Sequence, residues 1–192
     1  MKIRSGCAEG RGWSPSLPAC LYILFFASLL PACSSPHLVP ESGPGHMVPG
    51  VPFYAQKTDQ CGPASLAGVM NFWHVAVSPA EIAEEIYSES ARGTLSLDMV
   101  LYPQRKGLAA EQYSGGMDDL RKRIDAGLPL IVLVDKGFSV IEVAHFMVIV
   151  GYDGGGVIAN SGGNRGEYVA EEDFLRTWKR TNYWTLLIRP KE

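Results

Sequence analysis

The hydrophobic pattern of this 192-residue chain predicts an α+β domain, with helices first and an antiparallel sheet behind them. Two observations carry the prediction. Up to Gly127 apolar residues recur at helical spacing between capping signals. From Leu130 onward they form short continuous runs rich in Val and Ile, parted by glycine turns. Helices followed by such strands make an α+β fold, with helices packed on one antiparallel sheet. Pro63 is a natural first helical residue. After it Leu66, Val69, Met70 and Trp73 fall at i, i+3, i+4 and i+7 and give one apolar face. Ser78-Pro79-Ala80-Glu81 reads as a capping box opening a second helix through Ile82 and Ile86. A third helix spans 97–106 and stops at Gly107, with Pro103 shortening or kinking it. A fourth covers 118–126 and is closed by Gly127. Residues 130–134, 146–150 and 157–159 then read as strands, 171–180 as a helix, and 183–188 as a closing strand.

The amino-terminal residues are organised differently. Residues 21–30 are ten in a row without a charge, behind a leader that holds Lys2, Arg4 and Arg11. Ten is too short to span a membrane and suits the apolar core of a signal peptide. The run ends in Leu30-Pro31-Ala32-Cys33. This resembles the lipobox of bacterial lipoproteins, in which the cysteine is lipidated and becomes the first mature residue. Leu17-Pro18-Ala19-Cys20 repeats the letters but precedes the apolar run. The resemblance implies a signal over 1–32 and a lipid anchor on Cys33. With Ser34 behind it, it also implies sorting to the periplasmic face of the outer membrane in the cell envelope. Residues 33–50 are rich in Pro, Gly and Ser and too poor in apolar residues to pack. They are expected to be a tether, with His37 and His46 doing nothing chemical.

Residues 51–192 form the domain, long enough for a single core. The formal charge is −3; losing 1–32 removes three cations and one anion and leaves −5. A mildly acidic domain without a basic run argues against nucleic acid and against a polybasic grip on lipid. No metal-ligand cluster and no repeat stands out, so no cofactor is expected. The pattern is silent on oligomeric state.

Chemistry concentrates at Cys61, which lies in Gln56-Lys57-Thr58-Asp59-Gln60-Cys61-Gly62-Pro63, where an extended segment meets a helix. The thiolate is the reactive form, and the positive end of a helix dipole favours it. After cleavage before Cys33, Cys61 is the lone free thiol, and an exported protein that keeps one unpaired usually has a use for it. His145 follows on an apolar strand and Asn160 comes fifteen residues later. A thiol opening a helix, a strand-borne imidazole and an amide behind it make a cysteine nucleophile with its base.

These segments carry a resemblance. Gln-x4-Cys-Gly-Pro-Ala, then His-Phe-x-Val-x-x-Gly-Tyr and Asn-Ser-Gly, resemble the papain-like cysteine peptidases. More narrowly, they are similar to the bacterial family that cleaves double-glycine leaders from bacteriocin precursors. The likeness runs from Val51 to the C-terminus and implies a papain-like fold and a peptide or protein substrate. Two departures matter. Where the family has Asp directly before Cys and Asp as third residue, this chain has Gln60 and Asn160. Members are usually part of a transporter, and none lies within these residues. Peptidase chemistry carries over more readily than the double-glycine substrate.

Within that reading Cys61 attacks a carbonyl, His145 holds the proton and returns it to the leaving group, and Asn160 orients the ring. Gln56 and the Cys61 backbone N–H donate to the oxyanion, with Gln60 the rival donor. His74, about 20 Å along the helix, reads as a C-terminal capping cation. Asp153 belongs to the turn with Gly154, Gly155 and Gly156. A hairpin centred on the glycines pairs Asn160 with Ile149; one centred on Tyr152-Asp153 pairs it with His145. Both put Asn160 on the face of His145. Two other functions use the same residues: transglutaminase-like or amidase acyl transfer, and a non-catalytic peptide-binding lipoprotein indifferent to Cys61→Ala.

Overall fold

A computed structural model describes residues 45–56 and 59–191; the expected signal over 1–32 and the expected lipid site Cys33 lie outside the described residues. Cys61 opens helix α1 (Cys61–Phe72), and residues from Gly62 to Met70 are buried on every side rather than along one stripe. The cause is composition. Gly62, Ala64, Ser65, Ala67 and Gly68 are small enough to let neighbours close over the helix. A Cβ at Gly68 would lie 2.9 Å from the Pro52 carbonyl oxygen, so the preceding segment packs on bare helix backbone. The apolar face of Leu66, Val69 and Met70 is therefore one part of a fully enclosed helix. It ends in a reversal in which His74 adopts φ 61° and the Val75 N–H donates to the Met70 carbonyl at 2.9 Å. His74 thus closes the helix through its backbone conformation.

Helix α2 (Pro79–Ile86) starts on the expected capping box: Ser78 Oγ accepts the Glu81 N–H at 3.2 Å and Glu81 Oε2 accepts the Ser78 N–H at 2.8 Å. Strands β2 (Tyr87–Ser88) and β3 (Gly93–Thr94) form a small hairpin that leads into α3 (Ser96–Arg105). That helix accommodates Pro103, and Gly107 (φ 91°) lies just beyond it. Helix α4 (Met117–Asp125) is followed by Gly127 at φ 75°.

The remaining strands build one antiparallel sheet. Strands β4 (Leu108–Ser114), β9 (Trp184–Pro190), β5 (Leu130–Asp135), β6 (Ala144–Tyr152), β7 (Gly156–Ser161) and β8 (Asn164–Ala170) lie side by side in that order. Strand β1 (His46–Met47) also pairs with β6. The central strands are the apolar runs of the sequence. Edge strand β8 is largely exposed, edge strand β4 is mostly half-buried or exposed, and both lack that signature. Residues 45–50 correct the expected tether. His46 pairs with Tyr152, Val48 is 3% exposed, and the His46 ring stacks on Tyr152 while Nδ1 meets Asp125 at 2.7 Å. Few apolar residues suffice to pack when an open stretch of β6 offers its backbone groups.

Directly paired residues share a face of the sheet, and neighbours along a strand alternate. Val148 faces α1, since its Cγ2 lies 4.0 Å from where a Cβ on Gly68 would be. Met147, paired with Val132, whose other partner is Thr185, faces the opposite side. There helix α5 (Glu171–Lys179) brings Trp178 up to Thr185. This two-sided arrangement decides which site residues meet.

Candidate active site

Asp59 turns the chain at φ 60°, a left-handed conformation that Asp tolerates better than most residues, and the next two residues deliver Cys61 to the head of α1. The thiol sits at the edge of β6, where the backbone N–H of Phe146 reaches its sulfur, as do those of Gly62 and Cys61. Cys61 therefore lies beside the residue that follows His145. Two open clefts meet at it. One, of about 390 Å³, has Gln56, His145 and Gly162 in its wall; the other, of about 550 Å³, runs between Arg92–Thr94 and Glu142–Ala144. Asp59 reaches toward Arg92 at 3.5 Å along the second cleft.

Gln56 is held by its backbone, whose N–H donates to the Gly162 carbonyl at 3.0 Å. Gln56 lines both the cleft at Cys61 and a water-sized hollow shared with Ser65 and Asn160. Gln60 occupies the N-cap position without capping through its side chain.

The expected contact between Asn160 and His145 is not made. Near the turn the hairpin follows the glycine-centred register, pairing Tyr152 with Val157 and Gly151 with Ile158. Val150 is then an extra residue, and beyond it Asn160 pairs with Val148 rather than Ile149. One bulged residue reverses the parity of everything after it. Asn160 consequently faces α1, 5% exposed, and its Oδ1 accepts the Gly166 N–H at 3.1 Å. The residue brought to the imidazole is Ser161, whose Oγ lies 3.0 Å from His145 Nε2. Sequence reasoning passed over it. Its adjacency to Asn160 was the available signal, but reading it required the bulge.

The electrostatics correct a second expectation. Burial pushes the Cys61 thiol up, aided by the Asp59 carboxylate, and outweighs the three N–H groups that favour the thiolate. Burial, with the charge of Lys136 behind it, drives His145 down to about 4. The resting pair is thus an uncharged thiol and an uncharged imidazole, and among the described residues no hydrogen bond joins them. Also among the described residues, no group of three or more His, Cys, Asp or Glu is placed to hold a metal ion.

The family described as Peptidase C39 like matches residues 48–185. A C39-like peptidase from Bacillus anthracis superposes with a TM-score of 0.64 at 16% identity, covering 78% of this chain and 100% of that one. The double-glycine-motif protease of an AMS/PCAT transporter, solved with its leader peptide, gives 0.61 at 21% identity over 76% and 94%. The peptidase domain of Streptococcus ComA, a bifunctional ABC transporter of a quorum-sensing pathway, gives 0.62 at 23% over 74% and 100%. No curated protein matches the sequence. The architecture of helices on an antiparallel sheet is common to these structures.

Proposed function

The chain belongs to the peptidase C39-like family and is a cysteine peptidase; on that premise we propose that Cys61 and His145 hydrolyse a peptide bond in an envelope-tethered enzyme, with Gln56 as oxyanion donor. The observation that carries this is the position of Cys61 where two clefts meet, with His145 and Gln56 in the wall of one. An extended peptide can run along both clefts and present one carbonyl to the sulfur.

The steps follow from the residues. His145 takes the thiol proton as the Cys61 sulfur bonds to the carbonyl carbon, and the oxygen takes the negative charge. The Gln56 amide and the Cys61 backbone N–H donate to that oxygen, a contact that counts because it strengthens as charge develops. The C–N bond breaks and His145 delivers the proton to the departing amine. Water then attacks the thioester, gives a proton to His145, and the thiol leaves as a carboxylate product forms. Asn160 supports the donor: it accepts from Gly166, fastening the turn whose Gly162 carbonyl receives the Gln56 N–H.

The tether rests on Leu30-Pro31-Ala32-Cys33, whose likeness to a lipobox supports a lipid on Cys33 and a position on the periplasmic face of the outer membrane. The substrate is a peptide or an envelope protein. Profiling the new N-termini in cells carrying the wild-type chain or Cys61→Ala tests the reading. Cleavage products present only with the thiol support it. Identical profiles from the two strains, each with the protein expressed and folded, overturn it.

A further inference from the structure

We propose that the 137–143 loop is an apolar wedge that seats the rim of the clefts in the headgroup–acyl boundary of a lipid bilayer, where the enzyme meets peptides held at that surface. The inference rests on the clefts at Cys61 being the substrate site proposed above, and it adds what their rim docks on.

Removing apolar surface from water is the dominant favourable term in folding and association, so large apolar side chains left together in water mark an interaction site. Phe138 is 86% exposed, Val140 91% and Ile141 66%, and Val143 is also exposed. All four fall within six residues between the end of β5 and the start of β6. Val143 lines both clefts and Glu142 the larger one. The opposite wall of the larger cleft runs through Arg92, Gly93 and Thr94, and exposed Leu95 and Leu97 follow directly. Both banks of this cleft thus continue into exposed apolar side chains.

The backbone of the loop points to the occupant. The Gly137 and Val143 N–H groups donate to Asp135 Oδ1 at 2.8 Å each, and Arg180 donates to the Gly137 and Ser139 carbonyls at 2.9 and 3.3 Å. The Ile141 N–H donates to the Phe138 carbonyl at 3.0 Å, and the Lys136 N–H to the Val143 carbonyl at 2.9 Å. An added peptide strand is held by open backbone groups, whereas lipid offers no partners and requires such groups to be satisfied from within. At their exposure Phe138 and Val140 also stand clear of the domain, forming a convex tip rather than a groove. Charge agrees. Asp135 pairs with Arg180 and Asp59 with Arg92, and in the loop Lys136 and Glu142 oppose each other in sign. Three cations against three anions leave this rim neutral, so contact rests on apolar area and not on a cationic grip. Apolar faces that bind this way sink only about 5–10 Å, to the base of the headgroups. Val143 follows Val140 by three residues, at most about 11 Å of chain, which keeps the cleft mouth near the surface.

The test puts a reporter on the tip of the full chain as isolated from cells. Phe138→Trp keeps the apolar surface and adds one emission, which subtraction of the wild-type spectrum isolates. The protein is mixed with phosphatidylcholine vesicles, either plain or brominated on shallow acyl carbons. The added emission should shift to the blue on plain vesicles, be quenched by brominated lipid and be shielded from aqueous iodide. Val140→Asp with Ile141→Asp in the same chain should reverse all three, since each side chain withdrawn weakens partition about tenfold. Raising salt from about 0.1 M to about 0.5 M should leave the quenching in place, because screening weakens charge contacts and not apolar ones. Added emission open to iodide overturns the wedge. So does emission shielded from iodide yet untouched by bromine, as in a contact between two copies, and so does quenching that disappears with salt. The substituted side chains are exposed and make no core contact, so the variants fold. A chain that cleaves no peptide sinks the peptidase reading and leaves the quenching intact. Unquenched emission in a chain that still cleaves soluble peptides sinks the wedge alone.

Discussion

Burying His145 in its neutral form makes the fold itself sensitive to acid. An unfolded chain protonates this ring near 6.5, whereas the folded chain resists protonation until about 4. Between those values the unfolded state binds more protons, so stability falls as pH drops through the window and levels off below it. Urea midpoints measured from pH 7 to pH 4 should decline in the wild type and flatten in His145→Asn over that interval. Equal slopes in the two proteins would mean the ring is not held neutral. In turnover, His145→Ala should cost most, then Gln56→Ala and Asn160→Ala, then Gln60→Ala. Loss of one oxyanion donor costs on the order of 10² to 10³ in rate with little change in substrate affinity. A Gln60→Ala enzyme as damaged as His145→Ala, beside a silent Gln56→Ala, would show the wrong glutamine was assigned. The convergence of Cys61, His145 and Gln56 on one cleft was legible in the sequence because their motif places them at fixed points of a helix head, a strand and the segment before the helix. Ser161 was not, because no local pattern records which residue a bulge turns toward the ring.

Helix α1 brings the nucleophile within close reach of the β2–β3 hairpin through Gly62. A Cβ there would lie 2.7 Å from both Thr94 Cβ and Oγ1 and 3.1 Å from Met99 Sδ. Intrinsic propensity favours Ala over Gly in a helix by about 1 kcal/mol, but overpacking a closed contact costs about 1–3 kcal/mol and moves the backbone. Gly62→Ala should therefore destabilise the domain and slow turnover, and adding Thr94→Gly should recover part of both. Strictly additive losses in the double variant would refute a shared contact. The same contrast between local signal and tertiary demand explains which elements could be read in advance. The capping box at Ser78, the stops at Gly107 and Gly127 and the apolar runs of β5, β6 and β7 are encoded within a few residues. Strands β4 and β8 lie at the sheet edges and, apart from buried Leu108, hold only half-buried and exposed residues, because little apolar surface is demanded there. The bulge at Val150 is a property of two strands and β1 together: the Val150 carbonyl accepts the Val48 N–H at 2.8 Å.

At the scale of the whole molecule, the chain joins the sheet at one end of β6 and the site lies at the other. His46 pairs with Tyr152, while His145 and the Phe146 N–H at the thiol are seven and six residues away along the same strand. Seven residues of extended strand span about 24 Å. The described chain thus enters the sheet at the end of β6 away from the clefts. Two outcomes should separate. Cys33→Ser should leave an unprocessed, unlipidated precursor, visible as a chain of higher mass than the mature protein. A soluble fragment of residues 45–192 should nevertheless alkylate at Cys61 with the wild-type pH profile, because the groups that set that profile, Asp59 and the N–H groups of Cys61, Gly62 and Phe146, all lie within it. Recovery of the wild-type chain without bound lipid would remove the anchor from the proposal. A changed alkylation profile in the fragment would show instead that the amino-terminal residues take part in the site.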